Sequence, residues 1–243
     1  MTPFEKHNIQ HLSASSLGLF RAQPALWCLK YLSRYRDDAG PAAWRGSAVE
    51  AGLAHHLYKQ DKPSAIEAAN SRFEVEAMGD ASDDVDAERQ NIAPMLDQAI
   101  ATFGPLGQPV AKQLRTEARF DGLTVPVIGY LDFLFDGLIV DLKTTKACPS
   151  EIKPDHARQV ALYLHSRGFK EKGRVAYVTA KRGAIYDVAE PEKAVDAIRR
   201  DAIALQNFLA RVDDCRDALS ILAPDTDHFM WSDTARQALS QAA

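Results

Sequence analysis

The chain has 243 residues, of which 46% are hydrophobic and 26% charged, and its formal net charge is −4 at pH 7. This mixture is typical of a globular protein with a substantial core, and it argues against a disordered chain or one that is basic throughout. The three cysteines stand apart at Cys28, Cys148 and Cys215, so they cannot form a four-cysteine zinc or iron–sulfur site. A charged N-terminus and the lack of a run of about 18 apolar residues predict a soluble, cytoplasmic protein without a membrane partner.

The first 103 residues are predicted to be helical. Ser13 offers an N-cap for a first helix, and Pro24 breaks it from a second short one. After a predicted loop from Asp37 to Trp44, a 3.6-residue period resumes at Gly46. The segments "SAIEAANSRFEVEAM" and "DVDAERQNIAPMLDQAIATFG" predict two further helices.

Strands are predicted after Pro109, where the hydrophobic period changes. Alternation in "KQLRTEARF" and "LTVPVIGYLDFLFD" indicates two strands, and a tight turn at Asp136-Gly137 leads into "LIVDLKTT". The helix "PDHARQVALYLHSRG", the strands "GRVAYVTA" and "GAIYDVA", and a long amphipathic helix follow. This order predicts an α/β fold in which helices flank a mixed central β-sheet. We expect a helical N-terminal part (1–108) and a core (109–243), together forming one compact domain.

Two carboxylates and one ammonium group lie inside the apolar hairpin of "GYLDFLFDGLIVDLKTTK". Asp132 precedes the turn by four residues and Asp141 follows it by four, so their Cβ atoms lie roughly 4.5–5.5 Å apart if they are direct partners. Carboxylates that close repel unless a cation lies between them, and a divalent metal is the simplest such cation. Lys143 shares the face of Asp141, where an ammonium can orient a water or stabilise developing negative charge. A purely structural ion-pair cluster is the alternative.

These residues resemble the D…(D/E)xK signature of the PD-(D/E)XK nuclease superfamily, although Leu131 stands where the signature has proline. Further motifs follow in the order found in RecB-like and phage-type exonucleases: "LSASSLGLFRAQPALWCLKYL", "WRGSAVEAGL", "GYLDFLF", "DLKTTK" and "QVALY". The resemblance covers roughly residues 12–190 and implies a restriction-endonuclease-like core. Relatives with an iron–sulfur cluster use four cysteines, so that form of the family is excluded here.

The resemblance implies roles for individual residues. The metal ligands would be Glu50, Asp132, Asp141 and the backbone carbonyl of Leu142, with Glu50 standing where many RecB-like enzymes carry histidine. Glutamate is a hard oxygen ligand that suits Mg²⁺ or Mn²⁺. Glu50 as a solvent-facing helix residue is the alternative.

Three further residues complete the predicted catalytic set of Asp132, Asp141, Lys143, Gln159, Tyr163 and Glu117. Gln159 and Tyr163 are four residues apart and share one helical face, from which they could position the substrate phosphate or the catalytic lysine. Glu117 stands where the family often carries a glutamate one strand earlier. For Gln159 and Tyr163 the alternative is ordinary packing and a surface amide, and for Glu117 it is a structural or salt-bridge role.

The resemblance implies a Mg²⁺- or Mn²⁺-dependent DNA exonuclease of recombination, repair or phage replication, in a bacterial or phage-infected cell. No GxxxxGK[ST] motif is present, so a helicase, annealing protein or other recombination factor would act in trans. Between residues 153 and 182, eight Lys/Arg stand against two acids, which indicates a phosphate track or a solvated helix face. An endonuclease and an inactive DNA-binding module remain the alternatives, and the oligomeric state stays open.

Overall fold

The structure is a computed structural model that describes residues 1–36, 39–78, 80 and 82–242. The helices are α1 (Pro3–Lys6), α2 (Ala14–Ala22), α3 (Pro24–Tyr31), α4 (Pro41–Lys59), α5 (Lys62–Ala77), α6 (Asp83–Phe103), α7 (Pro154–Ser166), α8 (Pro191–Leu209), α9 (Cys215–Ser220) and α10 (Asp233–Ala242). The strands are β1 (Ala111–Ala118), β2 (Val127–Phe135), β3 (Leu138–Thr144), β4 (Lys172–Val178) and β5 (Gly183–Asp187). No helix in the described ranges is both long and apolar enough to cross a membrane.

The five strands form one mixed sheet in the order β1-β2-β3-β4-β5. The pairs β1–β2, β2–β3 and β4–β5 are antiparallel, whereas β3 and β4 are parallel. A parallel pair needs a crossover connection, and α7 supplies it. The predicted α/β fold with a mixed, helix-flanked sheet is therefore confirmed.

The N-terminal helices begin where their capping residues allow. Ser13 caps α2, because its hydroxyl accepts a hydrogen bond from the Ser16 backbone N–H at 3.1 Å. Pro24 is the first residue of α3, as the sequence predicted. The predicted loop through Trp44 is wrong from Pro41 onward, since α4 already begins there with proline in its first turn. The start of that predicted loop, Asp37, lies outside the described residues.

The strand predicted from Leu123 begins only at Val127. Pro126 has no N–H to donate to a neighbouring strand. Its carbonyl accepts a hydrogen bond from the Leu12 N–H at 2.9 Å. The Thr124 N–H donates to the Gln206 side chain of α8 at 3.1 Å. Residues 123–126 are therefore held by the N-terminal segment and by α8 rather than by the sheet.

Both faces of the sheet are covered. Helices α4, α5 and α6 share an apolar cluster with β2 and β3, in which the Phe103 and Phe133 rings lie 5.3 Å apart. Helix α7 covers the other face, where Tyr163 packs with Leu131. The buried cores thus combine side chains from residues 1–108 with side chains from the sheet, and the site described next lies between these layers.

Candidate active site

The ladder between β2 and β3 ends at the two aspartates. Backbone pairing runs from Phe135 and Leu138 to Phe133 and Val140, so Asp132 and Asp141 come next on their strands. There the Leu142 N–H donates to the Asp132 carboxylate at 2.8 Å. The Asp132 side chain thus takes the place of a backbone acceptor, and the two strands separate.

The Leu142 backbone faces this gap between the strands. A strand residue points its N–H and its carbonyl to the same side, so the Leu142 carbonyl also faces Asp132. Leu142 itself remains paired with Ala176 in the register of β3 and β4. The carbonyl predicted as a metal ligand therefore lies on the side of the carboxylates.

Asp141 and Lys143 form an ion pair inside the protein. Lys143 Nζ lies 2.8 Å from Asp141 Oδ2, and the aspartate is fully buried. Apart from this contact, no described group donates a hydrogen bond to either carboxylate oxygen, although a buried carboxylate ordinarily accepts several. Burial raises the pKa of Asp141, and Lys143 only partly opposes that rise. Burial alone would lower the pKa of Lys143, but Asp141 and Asp132 outweigh it, so the pKa is raised and the ammonium stays charged.

Glu50 of α4 joins the cluster through a glutamine of β1. Gln113 donates from Nε2 to a Glu50 carboxylate oxygen, and the same nitrogen lies 3.4 Å from Asp132 Oδ1. Burial raises the pKa of Glu50, and Asp141 adds to the rise. The pKa of Asp132 is raised well above its ordinary value by burial first, then by Asp141 and Glu50. Three carboxylates therefore interact with one another in a poorly solvated place.

Gln113 was not among the predicted site residues. The register of β1 and β2 pairs Lys112 with Phe133 and Leu114 with Leu131, and it skips Gln113 and Asp132 between them. Gln113 has φ of +48°, a left-handed conformation that is strained for a residue with a side chain. An uncharged residue inside an alternating strand gives no chemical signal, which is why the sequence missed it.

Arg45 holds the start of α4 against the sheet. Its guanidinium makes a buried ion pair with Glu88 of α6, and its Nη2 donates to the Thr144 hydroxyl at 3.3 Å. Gly46 allows this approach, since a Cβ there would lie 3.3 Å from the same hydroxyl oxygen. The anchored end of α4 places Glu50 one turn later beside the carboxylates.

Gln159 and Tyr163 of α7 lie together on the other side of the cluster. Gln159 Nε2 donates to the Tyr163 hydroxyl at 2.6 Å. The ring packs on Gly129 of β2, where a Cβ would meet Tyr163 Cε1 at 2.6 Å. Burial raises the pKa of Tyr163 and Asp141 adds to it, so the hydroxyl stays protonated. The structure thus brings this pair near the carboxylates.

His156 is a second neighbour that the sequence did not single out. Its Nδ1 lies 2.7 Å from the Tyr177 hydroxyl, at the start of α7. Burial lowers its pKa to about 4, and Lys143 and Lys153 contribute to the shift. A neutral imidazole therefore stands near Lys143 at neutral pH, but a single histidine outside any motif offers no sequence signal.

Glu117 is not brought to the cluster. Its two oxygens pair with Arg115 and Arg119 at 2.9 and 2.7 Å. These arginines lower its pKa, in contrast to the raised pKa values of the clustered carboxylates. A carboxylate shared by two arginines on the strand surface has the environment of a salt bridge, so this geometry favours the salt-bridge alternative, and the catalytic role of Glu117 stays a prediction.

The basic run from 153 to 182 is partly neutralised. Arg158 pairs with Asp155 at 2.7 Å, and Arg174 pairs with Asp187 at 2.6 Å. A third pair, Arg167 with Glu171, lies within one helical turn. Three of its eight cations are therefore engaged, which weakens the predicted phosphate track.

The residues fit a divalent cation as a partial ligand set. In the described part of the chain, no three Asp, Glu, His or Cys side chains are gathered as a ready-formed metal site. Mg²⁺ does not require such a cage, since it usually keeps several waters and binds one or two carboxylates plus substrate phosphate. Among the described residues, the buried oxygens of Asp141 have Lys143 alone as a close partner. The Gln113 amide lies between Glu50 and Asp132, where a cation would relieve their repulsion.

Comparison with known proteins places the chain in a family. The PD-(D/E)XK nuclease superfamily matches residues 11–227, and the chain belongs to that superfamily. A search of curated proteins finds no match. The solved structures that match include one described as "Crystal structure of SSO0001", with 18% identity over 72% of this chain and 81% of that chain and a TM-score of 0.36. A likeness at that level carries no argument about activity.

Proposed function

We propose that this protein is a Mg²⁺- or Mn²⁺-dependent deoxyribonuclease that hydrolyses phosphodiester bonds from DNA ends. Membership of the PD-(D/E)XK superfamily supports a nuclease, and the order of RecB-like and phage-type motifs supports an exonuclease. Processing of DNA in recombination, repair or phage replication follows from the same resemblance.

The observation that carries the proposal is the state of Asp141. It is fully buried, and Lys143 Nζ, two residues away on the same strand and 2.8 Å from Oδ2, is the one described group close enough to donate to its oxygens. Burying charges in this way costs several kcal/mol, and a purely structural cluster would gain little from it. A cation site that uses Asp141 and Asp132 would give the protein a functional reason to bury these charges.

The side chains divide the chemistry among them. Asp132, Asp141 and the Leu142 carbonyl would hold the ion, with Glu50 at the far side. When bound, the ion supplies a Lewis acid that polarises the phosphate and lowers the pKa of a water. Lys143 would orient the attacking water and neutralise charge that develops on the phosphate, because its ammonium stays protonated. Tyr163, also protonated, would donate to a phosphate oxygen while Gln159 fixes its hydroxyl.

Cleavage of defined DNA substrates tests the proposal. End-labelled linear duplex, linear single strand and closed circular DNA would each be incubated with Mg²⁺, Mn²⁺ or EDTA. We expect metal-dependent loss of linear DNA alone, abolished by Asp141→Ala and by Lys143→Ala. Cutting of circles would instead make the protein an endonuclease, and an absence of cleavage with either metal would contradict the nuclease function.

A further inference from the structure

A cationic groove leads away from the candidate site. One cavity of about 290 Å³ lies beside Tyr163 and Tyr130 and extends to His11. A second cavity of about 620 Å³ begins at His11 and extends along the end of α3 to Arg36. His11 lines both cavities, so they adjoin at this residue, and we name the two together the α3 groove.

The charge of the α3 groove suits a polyanion. Its second cavity is lined by Lys30, Arg34 and Arg36, with His11 at the junction. Among the described residues, no acidic side chain lines either cavity and no ion pair engages these three cations. Asp37 and Asp38 follow in the sequence and lie outside the described residues. Within the described residues these cations have no acidic partner, whereas three cations of the run from 153 to 182 are already paired.

Exposed tyrosines distinguish a single strand from a duplex as the occupant. Tyr31 is 39% exposed, and its ring stacks on the buried Trp27 with centroids 4.9 Å apart, which holds one face rigid. Tyr130 is 53% exposed and lines the cavity beside Tyr163. Aromatic faces beside a cationic track bind unstacked bases, which a duplex does not offer.

We propose that the α3 groove binds the single-stranded DNA segment adjoining the scissile phosphate, with its phosphates on Lys30, Arg34 and Arg36 and a base on Tyr31. This deepens the proposed function and rests on it for the identity of the neighbouring site. The preferred substrate is then a strand end already unpaired, and the end of a linear duplex enters more slowly, after its last base pairs have opened.

Binding without cleavage tests the groove independently of catalysis. Fluorescence anisotropy of labelled dT12 would be followed in EDTA for the wild-type protein and for the triple variant Lys30→Glu, Arg34→Glu, Arg36→Glu. We expect at least a tenfold loss of affinity near 0.1 M salt. The plot of log affinity against log salt should become less steep by about two, because three contacts are lost and each contact to a single strand contributes about 0.7.

A matched variant controls for total charge. The triple change Arg199→Glu, Arg200→Glu, Arg211→Glu also reverses three exposed arginines, in and just after α8, and should bind dT12 as the wild type does. Tyr31→Ala should weaken binding about tenfold through lost stacking, whereas Tyr31→Phe should retain it. Circular dichroism would establish that each variant is folded.

The outcomes separate this proposal from the proposed nuclease function. Three results would each overturn the single-strand groove. The groove variant could bind dT12 as tightly as the wild type, or the groove and control variants could lose affinity equally. Duplex DNA could also compete for the protein as well as dT12 does. Hydrolysis of bis(p-nitrophenyl) phosphate by the wild-type protein reports the chemistry alone, because that diester cannot span the groove. Groove-dependent binding without hydrolysis of either the diester or DNA would sustain the groove and refute the nuclease.

Discussion

Removing one charge from the carboxylate cluster should stabilise the metal-free protein. The change is Asp132→Asn, which keeps an oxygen able to accept the 2.8 Å hydrogen bond from the Leu142 N–H. Asp132 is 8% exposed, and its pKa is raised by burial, by Asp141 and by Glu50. Its charge therefore disfavours the folded state at neutral pH. An alanine would be a poor substitute, since it would leave that N–H without an acceptor.

The magnitude follows from the spacing of the strands. Asp132 and Asp141 follow the last paired positions of β2 and β3, so the spacing of about 5 Å between directly opposed side chains is a lower bound for them. Two like charges at that distance repel by about 3 kcal/mol at an effective dielectric constant of about 20, which sets the upper limit. Lys143 and the Gln113 amide offset part of this repulsion. We expect Asp132→Asn to raise the free energy of unfolding by about 1–2 kcal/mol at pH 7.5 in EDTA.

Urea unfolding with and without Mg²⁺ provides the assay. Asp136→Asn, in the exposed turn of the same hairpin, is the control and should change stability little. Mg²⁺ should stabilise the wild-type protein more than the variant, because binding to the folded state adds stability in proportion to the logarithm of ligand concentration. A variant less stable than the wild type in EDTA, with a neutral control, would refute the reasoning.

The advantage of the variant should shrink on acidification. The pKa of an aspartate is about 3.9 in the unfolded chain, and that of Asp132 is higher in the folded protein. At a pH between these two pKa values, the folded state binds more protons than the unfolded state does. The wild-type protein therefore gains stability from Asp132 as the pH falls through the folded pKa. His156 acts in the opposite direction, because its pKa is lowered to about 4 and it costs stability below about pH 6.5. The histidine is present in both proteins, so it cancels in the difference between them.

Three further experiments test other contacts of the site. Lys143→Ala should lower the rate of DNA cleavage about 10²- to 10³-fold, while calorimetry still detects Mg²⁺ binding. Lys146 is exposed, and Lys146→Ala should cleave at the wild-type rate. Similar rates for the two variants would contradict this role of Lys143. Gln113→Met should lower the free energy of unfolding by about 1 kcal/mol in EDTA, because two carboxylates lose a donor, and saturating Mg²⁺ should shrink that deficit. An equal deficit with and without the ion would count against the bridging amide. Gly129→Ala and Gly173→Ala each place a Cβ 2.6 Å from a side-chain carbon of α7 and should each cost about 1–3 kcal/mol. Only the Cβ of Gly129→Ala would contact Tyr163, so this variant alone should also cleave DNA more slowly at a temperature where both glycine variants are folded. Equal cleavage rates for the two variants would argue against a role for that tyrosine.

The sequence alone supports much of the fold because local signals repeat along it. The Ser13 cap, Pro24 at the start of α3 and the turn after Phe135 are each decided by neighbouring residues. The two aspartates of the hairpin follow from the same kind of signal, because their equal spacing from a two-residue turn is enough to bring them side by side. Local patterns fail where a distant segment intervenes. Residues 123–126 alternate like a strand, yet Leu12 and Gln206 take their backbone groups.

Tertiary structure decided which other groups join the two aspartates. Glu50 comes from a helix more than 80 positions before Asp132, and Arg45 at the start of that helix binds both α6 and β3. Gln113 enters only because β1 is distorted opposite Asp132, while Glu117 on the same strand is held by two arginines. Alternation along a strand is a property of neighbours, so the sequence predicts which face a side chain takes. Burial and electrostatic coupling depend on which elements pack against that face, and only the folded chain determines them.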